Sequence, residues 1–521
     1  MSNFDCERTF IEHIYRPIQR NVLIAEYCNE RFEYVNLVDA YYRKVDSNAI
    51  FMFLIICITF PVLFMAISAI AEKYLSVGMQ DLSKRFKMSP SIAATTLIAF
   101  ANGAPDVLAS LSSAGGSGGA FIGIGALFGA FIFTSTLVVA NILFSVSSDI
   151  VMPRLAVIKE LSFYSISVLV VIIFGLIGSS GFPFVFTYLA IYCVYIFATI
   201  KVDKMSDSVP ESEGSDKPLD LENNNDKADE EQLEIQEAAD EEGKNQGKLG
   251  ELMAELIDPE AGFYQNAVLM PLMFSGLFTI SYLENPLMKT PVKLLVIPMA
   301  FTFTIFILEL TEASILTLFL IGLGIALICF GFEMFNIQKE LFETIYEIIA
   351  VFAAIGWIKI FSTLIVDFIT FLAFYFSISE VVLATLLLSA GNSLGDLFGN
   401  AALALQGETV MASMACYSGQ IFNNFVGLTA NIAMAAKSGE TEFDIFGLRE
   451  PAEKKIWGLM PINNLFVTVV LMFVISILVV SFMMYFGNGF VLKKKFSSML
   501  FGIYISFFVF SIAFALIFRG A

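Results

Sequence analysis

Asn102-Gly103-Ala104-Pro105-Asp106 and Asn392-Ser393-Leu394-Gly395-Asp396 decide how this chain is read. Each run sits inside a long apolar stretch. Each combines a carboxylate, an amide, small residues and a residue that disturbs a helix. An Asp deep in a bilayer is costly, faces the inside of a bundle and marks an ion path or a coupled charge. Two of them in matching settings, in the two halves of one chain, point to a duplicated transporter with a cation site between its repeats.

The surroundings of the two runs set the class. Of 521 residues 57% are apolar and 15% charged, with a mean hydropathy of +0.76. Many windows exceed the roughly eighteen apolar residues needed to cross about 30 Å of hydrocarbon, and they lack the polar alternation of a soluble core. The expected fold is an all-α polytopic membrane protein. Spans are predicted at 49–71, 88–111, 119–144, 161–179, 182–201, 291–309, 313–333, 344–367, 380–405, 410–436, 461–485 and 497–518. Segment 267–283 is short and interrupted by Pro271, and is assigned as interfacial or re-entrant. The organisation predicted is an extramembrane segment 1–48, a first membrane repeat 49–201, an acidic loop 202–262, inserted hydrophobic segments 263–343 and a second repeat 344–521.

The formal charge of −19 comes mostly from one place. Between Asp203 and Glu260 twenty acidic residues face five lysines. That composition buries too little apolar surface to fold alone. It reads as a solvated linker or a cation-sensing loop, and gives no reason to expect a basic partner or nucleic acid. Cys57, Cys193, Cys329 and Cys416 lie in apolar segments, while Cys6 and Cys28 lie outside the membrane and could pair on an oxidising side. The single His13 and the scattered cysteines offer no zinc or haem spacing. Gly115–Gly119 lacks the Lys-Ser/Thr of a phosphate loop. No cofactor and no enzyme activity are expected.

The halves align by spacing. Thr134 lies 28 residues past Asp106, and Asn423 lies 27 past Asp396. Each half reads as one span, a span with its Asp, a small-residue span, then two more. Five crossings per repeat invert the second copy when the insert crosses an even number of times. Loops 72–87 and 145–160, with Lys73, Lys84, Arg85, Lys87, Arg154 and Lys159, are placed on the cytoplasmic side or its organelle equivalent. The acidic loop shares that side, and the loop with Lys437, Arg449, Lys454 and Lys455 falls opposite.

The chemistry follows from the residue types. Pro105 and Gly395 are expected to break their helices and free backbone carbonyls. Asn102 and Asn392 lie four residues before the carboxylates, on the same helical face, and Ser393 adds a hydroxyl. Such an all-oxygen set suits Ca²⁺, which takes about 6–8 oxygens in a flexible cage. Without a cation, the two carboxylates would repel and one would tend to take a proton. Gly125, Gly129 and Ala130 read most simply as close-packing residues between spans.

The two runs, with Gly125-Ala126-Leu127-Phe128-Gly129-Ala130 and Ile421-Phe422-Asn423, resemble the alpha-repeats of the cation/Ca²⁺ exchanger superfamily. They are most similar to the branch that contains mitochondrial sodium/lithium/calcium exchangers. The resemblance is strongest over about 89–140 and 380–430. It implies two inverted five-helix repeats plus about two inserted helices. It implies Ca²⁺ moved against Na⁺, or Li⁺, by alternating access, with both ions as transported partners in a lipid bilayer. It implies Asp106 and Asp396 as central cation ligands, with Asn102, Gly103, Asn392, Ser393, Asn423 and Thr134 around them. The branch suggests the mitochondrial inner membrane; no presequence supports this, and the plasma membrane stays open. Ala101 stands where the motif usually begins with Gly. Lys359 is read as snorkelling or pairing with Glu347 or Asp367, or else as replacing one Na⁺ charge near the site. Ca²⁺/H⁺ exchange, a cation channel and a non-transporting Ca²⁺-binding protein remain as alternatives.

Overall fold

In hydrocarbon every backbone N–H and C=O must be satisfied within its own segment, so the apolar runs fold as helices. The computed structural model describes residues 28, 32–44, 48–88, 93–114, 119–146, 148–178, 181–206, 279–280, 293–308, 314–334, 339–437, 446 and 461–519. Five helices build the first half: α1 (Ala49–Arg85), α2 (Ala99–Ala114), α3 (Ala120–Ser145), α4 (Arg154–Ile177) and α5 (Phe182–Ser206). Two follow in the insert, α6 (Lys293–Ile307) and α7 (Ile315–Met334). Five more complete the second half: α8 (Lys339–Phe376), α9 (Glu380–Leu405), α10 (409–437), α11 (Ile462–Gly487) and α12 (Phe496–Ile517). Eight of these are long and apolar enough to cross a membrane by themselves. The assigned re-entrant segment 267–283 lies outside the described residues except for Thr279 and Ile280.

Contacts between chain-distant ends fix the topology. α1 runs from the face where residues 32–44 pack to the opposite face. There Arg85 Nη1 pairs with Glu343 Oε2 at 3.1 Å, so α8 starts where α1 ends. α8 ends on the N-terminal face, where the Phe376 carbonyl accepts from Arg519 Nε at 2.8 Å. An antiparallel ribbon joins β1 (Ile150–Val151) to β2 (Val491–Leu492), pairing the α3–α4 turn with the α11–α12 turn on the opposite face. The second five helices therefore repeat the first five upside down.

Local geometry repeats as well. A π-turn at Ala94–Ile98 precedes the first motif, and one at Ala384–Leu388 precedes the second, each starting eight residues before the motif Asn. A second pair occurs at Phe133–Val138 and Asn423–Gly427, the helices that carry Thr134 and Asn423. Such turns open the i→i−4 ladder and recur at functional sites.

Packing relies on small residues, because lipid tails give helices no hydrophobic reason to associate. α3 is buried along nearly its whole length. A Cβ on Gly129 would strike the Thr385 carbonyl and lie 2.8 Å from Ser389 Oγ. One on Gly125 would lie 3.1 Å from Val381 Cγ1. The two glycines thus let α3 touch the start of α9.

Several details differ from the sequence reading, among them α8, which runs from Lys339 to Phe376 rather than over 344–367. The first span does not end near residue 71 but continues as helix to Arg85, so Lys73 and Lys84 are helical. Lys159 is not in a loop. It pairs with Glu160 Oε1 at 3.0 Å within α4 and donates to Thr199 Oγ1 at 2.9 Å, tying α4 to α5. Lys359 donates to the Ile307 carbonyl at 3.1 Å. It holds the C-terminal end of α6, where a cation complements the helix dipole, and this docks the insert on α8.

The N-terminal segment is fastened to the membrane domain. The amides of Glu33, Tyr34 and Val35 all donate to the Asp367 carboxylate, at 3.1, 3.1 and 3.0 Å. Tyr41 packs against Phe371 and Tyr375. Cys28 is disulfide-bonded, whereas the suggested partner Cys6 lies outside the described residues. Hydrogen bonds to a charged group contribute about 1.5–3 kcal/mol each. Asp367→Ala should therefore speed amide hydrogen exchange at residues 33–35 by at least about tenfold; unchanged exchange would mean that other contacts hold the segment.

Candidate functional site

The two motifs meet at the centre of the bundle, but they are built differently. α2 runs unbroken through Pro105, contrary to the expected break. Proline has no N–H to donate, so the Ala101 carbonyl loses its helical donor while the helix continues. In α9 the break is real. A helical turn ends at Asn392, Ser393 sits in the bridge region at φ −89°, ψ 9°, and a new helix starts at Leu394. The break therefore falls two residues before Gly395. It places Asp396 in the first turn of the new helix, where the exposed amides favour negative charge.

Side chains cross between the repeats at this level. Asn423 Nδ2 of the second repeat donates to Asp106 Oδ2 of the first at 2.7 Å. Asn392 Nδ2 approaches the Pro105 carbonyl at 3.4 Å. The approach of Asn392 to Pro105 brings the start of the new helix, with Asp396, beside Asp106. Asp106 is buried and Asp396 half-buried. Gly103 permits the approach: a Cβ there would overlap Asn423 Oδ1 and lie 3.0 Å from Phe422 Cδ1. Six of the eight expected residues, Gly103, Asp106, Asn392, Ser393, Asp396 and Asn423, thus lie in or beside one cluster.

The other two lie at its edges. Asn102 is exposed, with Ser76 Oγ of α1 at 3.5 Å from its Oδ1. Thr134 is fully buried and donates to the Ala130 and Phe131 carbonyls at 2.9 and 3.3 Å. It does not mirror the bond that Asn423 makes to Asp106, although a donating hydroxyl keeps its lone pairs.

Several buried oxygens in the cluster have no hydrogen-bond partner: Asn392 Oδ1, Ser393 Oγ and Asn423 Oδ1. Leaving such an atom unpaired in a dry interior costs about 1–3 kcal/mol. These oxygens and the two carboxylates form a hard, anionic donor set of the kind a hydrated cation exchanges its water for.

Sequence reasoning missed further polar residues here. Asn141 Nδ2 donates to the Leu397 carbonyl at 3.0 Å, locking α3 beside Asp396. Asn424 and Asn431 reach Ser167 Oγ at 2.5 Å and the Ser110 carbonyl at 2.7 Å. An Asn inside an apolar span was the available signal, though it does not name its partner. Glu72, within the loop 72–87 expected from the sequence, lies on α1 beside Gly395.

Two inverted five-helix repeats around a shared polar core define a secondary transporter architecture. The chain belongs to the sodium/calcium exchanger protein family, whose model matches residues 51–201 and 346–513. It is 25% identical to putative sodium/calcium exchanger 6 of Caenorhabditis elegans, over 90% of this chain and 84% of that one. It is 24% identical to the mitochondrial sodium/calcium exchanger protein of Rattus norvegicus, over 70% of this chain and 67% of that one. It is also 24% identical to cation/calcium exchanger 1 of Arabidopsis thaliana, over 77% and 73%. Among solved structures, the H⁺/Ca²⁺ exchanger CAX aligns over 88% of this chain and 83% of that one, with 11% identity and a TM-score of 0.42.

Proposed function

We propose that this exchanger moves Ca²⁺ against Na⁺ by alternating access, with the cation held between Asp106 and Asp396. The observation that carries the reading is the bond from Asn423 to Asp106. It joins the two repeats at one carboxylate, beside oxygens with no protein partner. Asn102, Gly103, Asn392, Ser393, Thr134 and Asn423 complete the surroundings, through side chains or backbone. Amide and hydroxyl oxygens beside the carboxylates favour Na⁺ as the counter-ion, because a proton needs no coordination cage. The names of the animal relatives agree with that choice.

The inversion supports alternating access, in which rocking one repeat against the other would expose a fixed site first to one face and then to the other. Arg85, Lys87, Arg154 and Lys493–Lys495 lie on the face opposite the N-terminal segment. By the positive-inside tendency that face is cytosolic or matrix-like, and the Cys28 disulfide suits the other side.

The test is ⁴⁵Ca uptake into proteoliposomes loaded with Na⁺, Li⁺, K⁺ or acid. Uptake that needs internal Na⁺ and scales with its gradient is the expected result. Uptake driven by a pH gradient alone would replace Na⁺ by protons. Uptake indifferent to every internal ion would point to a channel and end the antiport reading.

A further inference from the structure

α1 is one of the most apolar helices in the chain, yet it carries Ser68, Glu72, Ser76, Gln80 and Lys84 at four-residue spacing. Residues so spaced share a helix face. Glu72 is exposed while its neighbours Ile70, Ala71, Tyr74 and Leu75 are buried. A carboxylate within a span does not face lipid; it lines water or a polar cavity.

The position of this stripe is specific. A Cβ on Gly395 would lie 3.1 Å from Ser68 Oγ and 3.4 Å from Glu72 Oε1. Glu72 therefore rests against the residue that precedes Asp396. Ser68 Oγ, 3.1 Å from Glu72 Oε1, orients it. Ser76, one turn further along, reaches Asn102 of the first motif. The stripe thus touches both motifs. The turn it covers contains Ser393, fully buried, whose hydroxyl has no protein partner.

Accessibility is one-sided. Along α2 towards the N-terminal face, Asp106, Ser110 and Ser113 are buried. Towards the opposite face, Asn102, Glu72 and Gln80 are exposed. The inverted repeat does not reproduce the carboxylate: counted back equally from the motif Asp, Glu72 corresponds to Ser362 of α8, which is fully buried.

We infer that Glu72 is a capture and selectivity residue for divalent cations: it takes the incoming ion at the open mouth and delivers it to the Asp106–Asp396 pair. The inference rests on the proposed Ca²⁺ exchange and assigns Glu72 to one face of it. A third carboxylate attracts a divalent ion twice as strongly as a monovalent one at the same distance. It therefore raises local Ca²⁺ over Na⁺ on that side. Being exposed, it releases the ion more readily than the buried pair does.

The test uses the full chain in vesicles of fixed orientation, with ⁴⁵Ca offered from each face. Glu72→Gln should raise half-saturating Ca²⁺ about tenfold from the face opposite the N-terminal segment, which is about 1.4 kcal/mol. The maximal rate should stay within about twofold, and half-saturation from the N-terminal face should not move. Glu72→Asp should recover most of the affinity, and it also serves if Glu72→Gln does not assemble. Equal affinity in all three proteins, or a loss of maximal rate alone, would overturn the role. Asp396→Asn in the same vesicles separates the two readings. If it abolishes flux while Glu72→Gln changes nothing, only the capture role fails; if it too leaves flux intact, the exchange site itself is wrong.

Discussion

Asp106→Asn is expected to abolish Ca²⁺ flux while the protein still assembles. The substitution keeps the side-chain shape and removes one of two charges that face each other across the repeats. Removing one partner of a buried charge interaction costs about 3–5 kcal/mol, or about 10²–10⁴ in affinity. Asn423 Nδ2 would still find an oxygen on the new amide, so the link between α2 and α10 survives in geometry. The folded state should not suffer. In the absence of cation the two carboxylates repel, and neutralising one relieves that repulsion. Melting in Ca²⁺-free detergent should therefore be unchanged or raised, while the stabilisation by added Ca²⁺ disappears. Asp396→Asn should behave alike in flux. Retained, Ca²⁺-saturable uptake in both variants would remove the pair from the transport site.

The second large effect is expected from Gly103→Ala, a single methyl group. Its Cβ would overlap Asn423 Oδ1 and press on Phe422 Cδ1 at 3.0 Å. Phe422 cannot easily withdraw, because it packs edge-on against Phe100 and Tyr192. Asn423 must then swing away from Asp106 and the 2.7 Å bond is lost. Overpacking of this kind costs about 1–3 kcal/mol, within what a folded bundle tolerates. Ca²⁺ flux should fall at least about thirtyfold. Asn423→Ala should lose a similar amount, and the double variant little more than either alone, because both act on one contact. Full additivity would show that Gly103 affects transport by another route.

How much of this was legible beforehand depends on range. The helical membrane class, the acidic block, the repetition of the motif around Asp106 and Asp396 and the spacing that aligns Thr134 with Asn423 are visible in the sequence. They rest on local apolar length and on the repetition of a motif. The π-turns are not visible there, since no residue type dictates them; four form two symmetric pairs, while the one at Ala71–Ser76 in α1 has no counterpart in α8. The end of the first span is not legible either, because charged residues signal the end of a membrane helix only where the helix leaves the bundle. Lys73 and Lys84 instead continue along a helix whose other faces are buried.

The sequence by itself determined that this is a duplicated helical membrane protein with a paired carboxylate and amide motif. Hydrophobic length and repeat spacing are properties of the chain read locally, and nothing else was needed. Only the tertiary structure decided that α2 passes through Pro105 unbroken while α9 breaks at Ser393, that Asn423 rather than Thr134 binds across the repeats, that Lys359 holds the end of α6, and that Glu72 stands beside Gly395. Each of these is a contact between helices far apart in the chain. Which atoms meet there is set by how closely small residues let the helices approach.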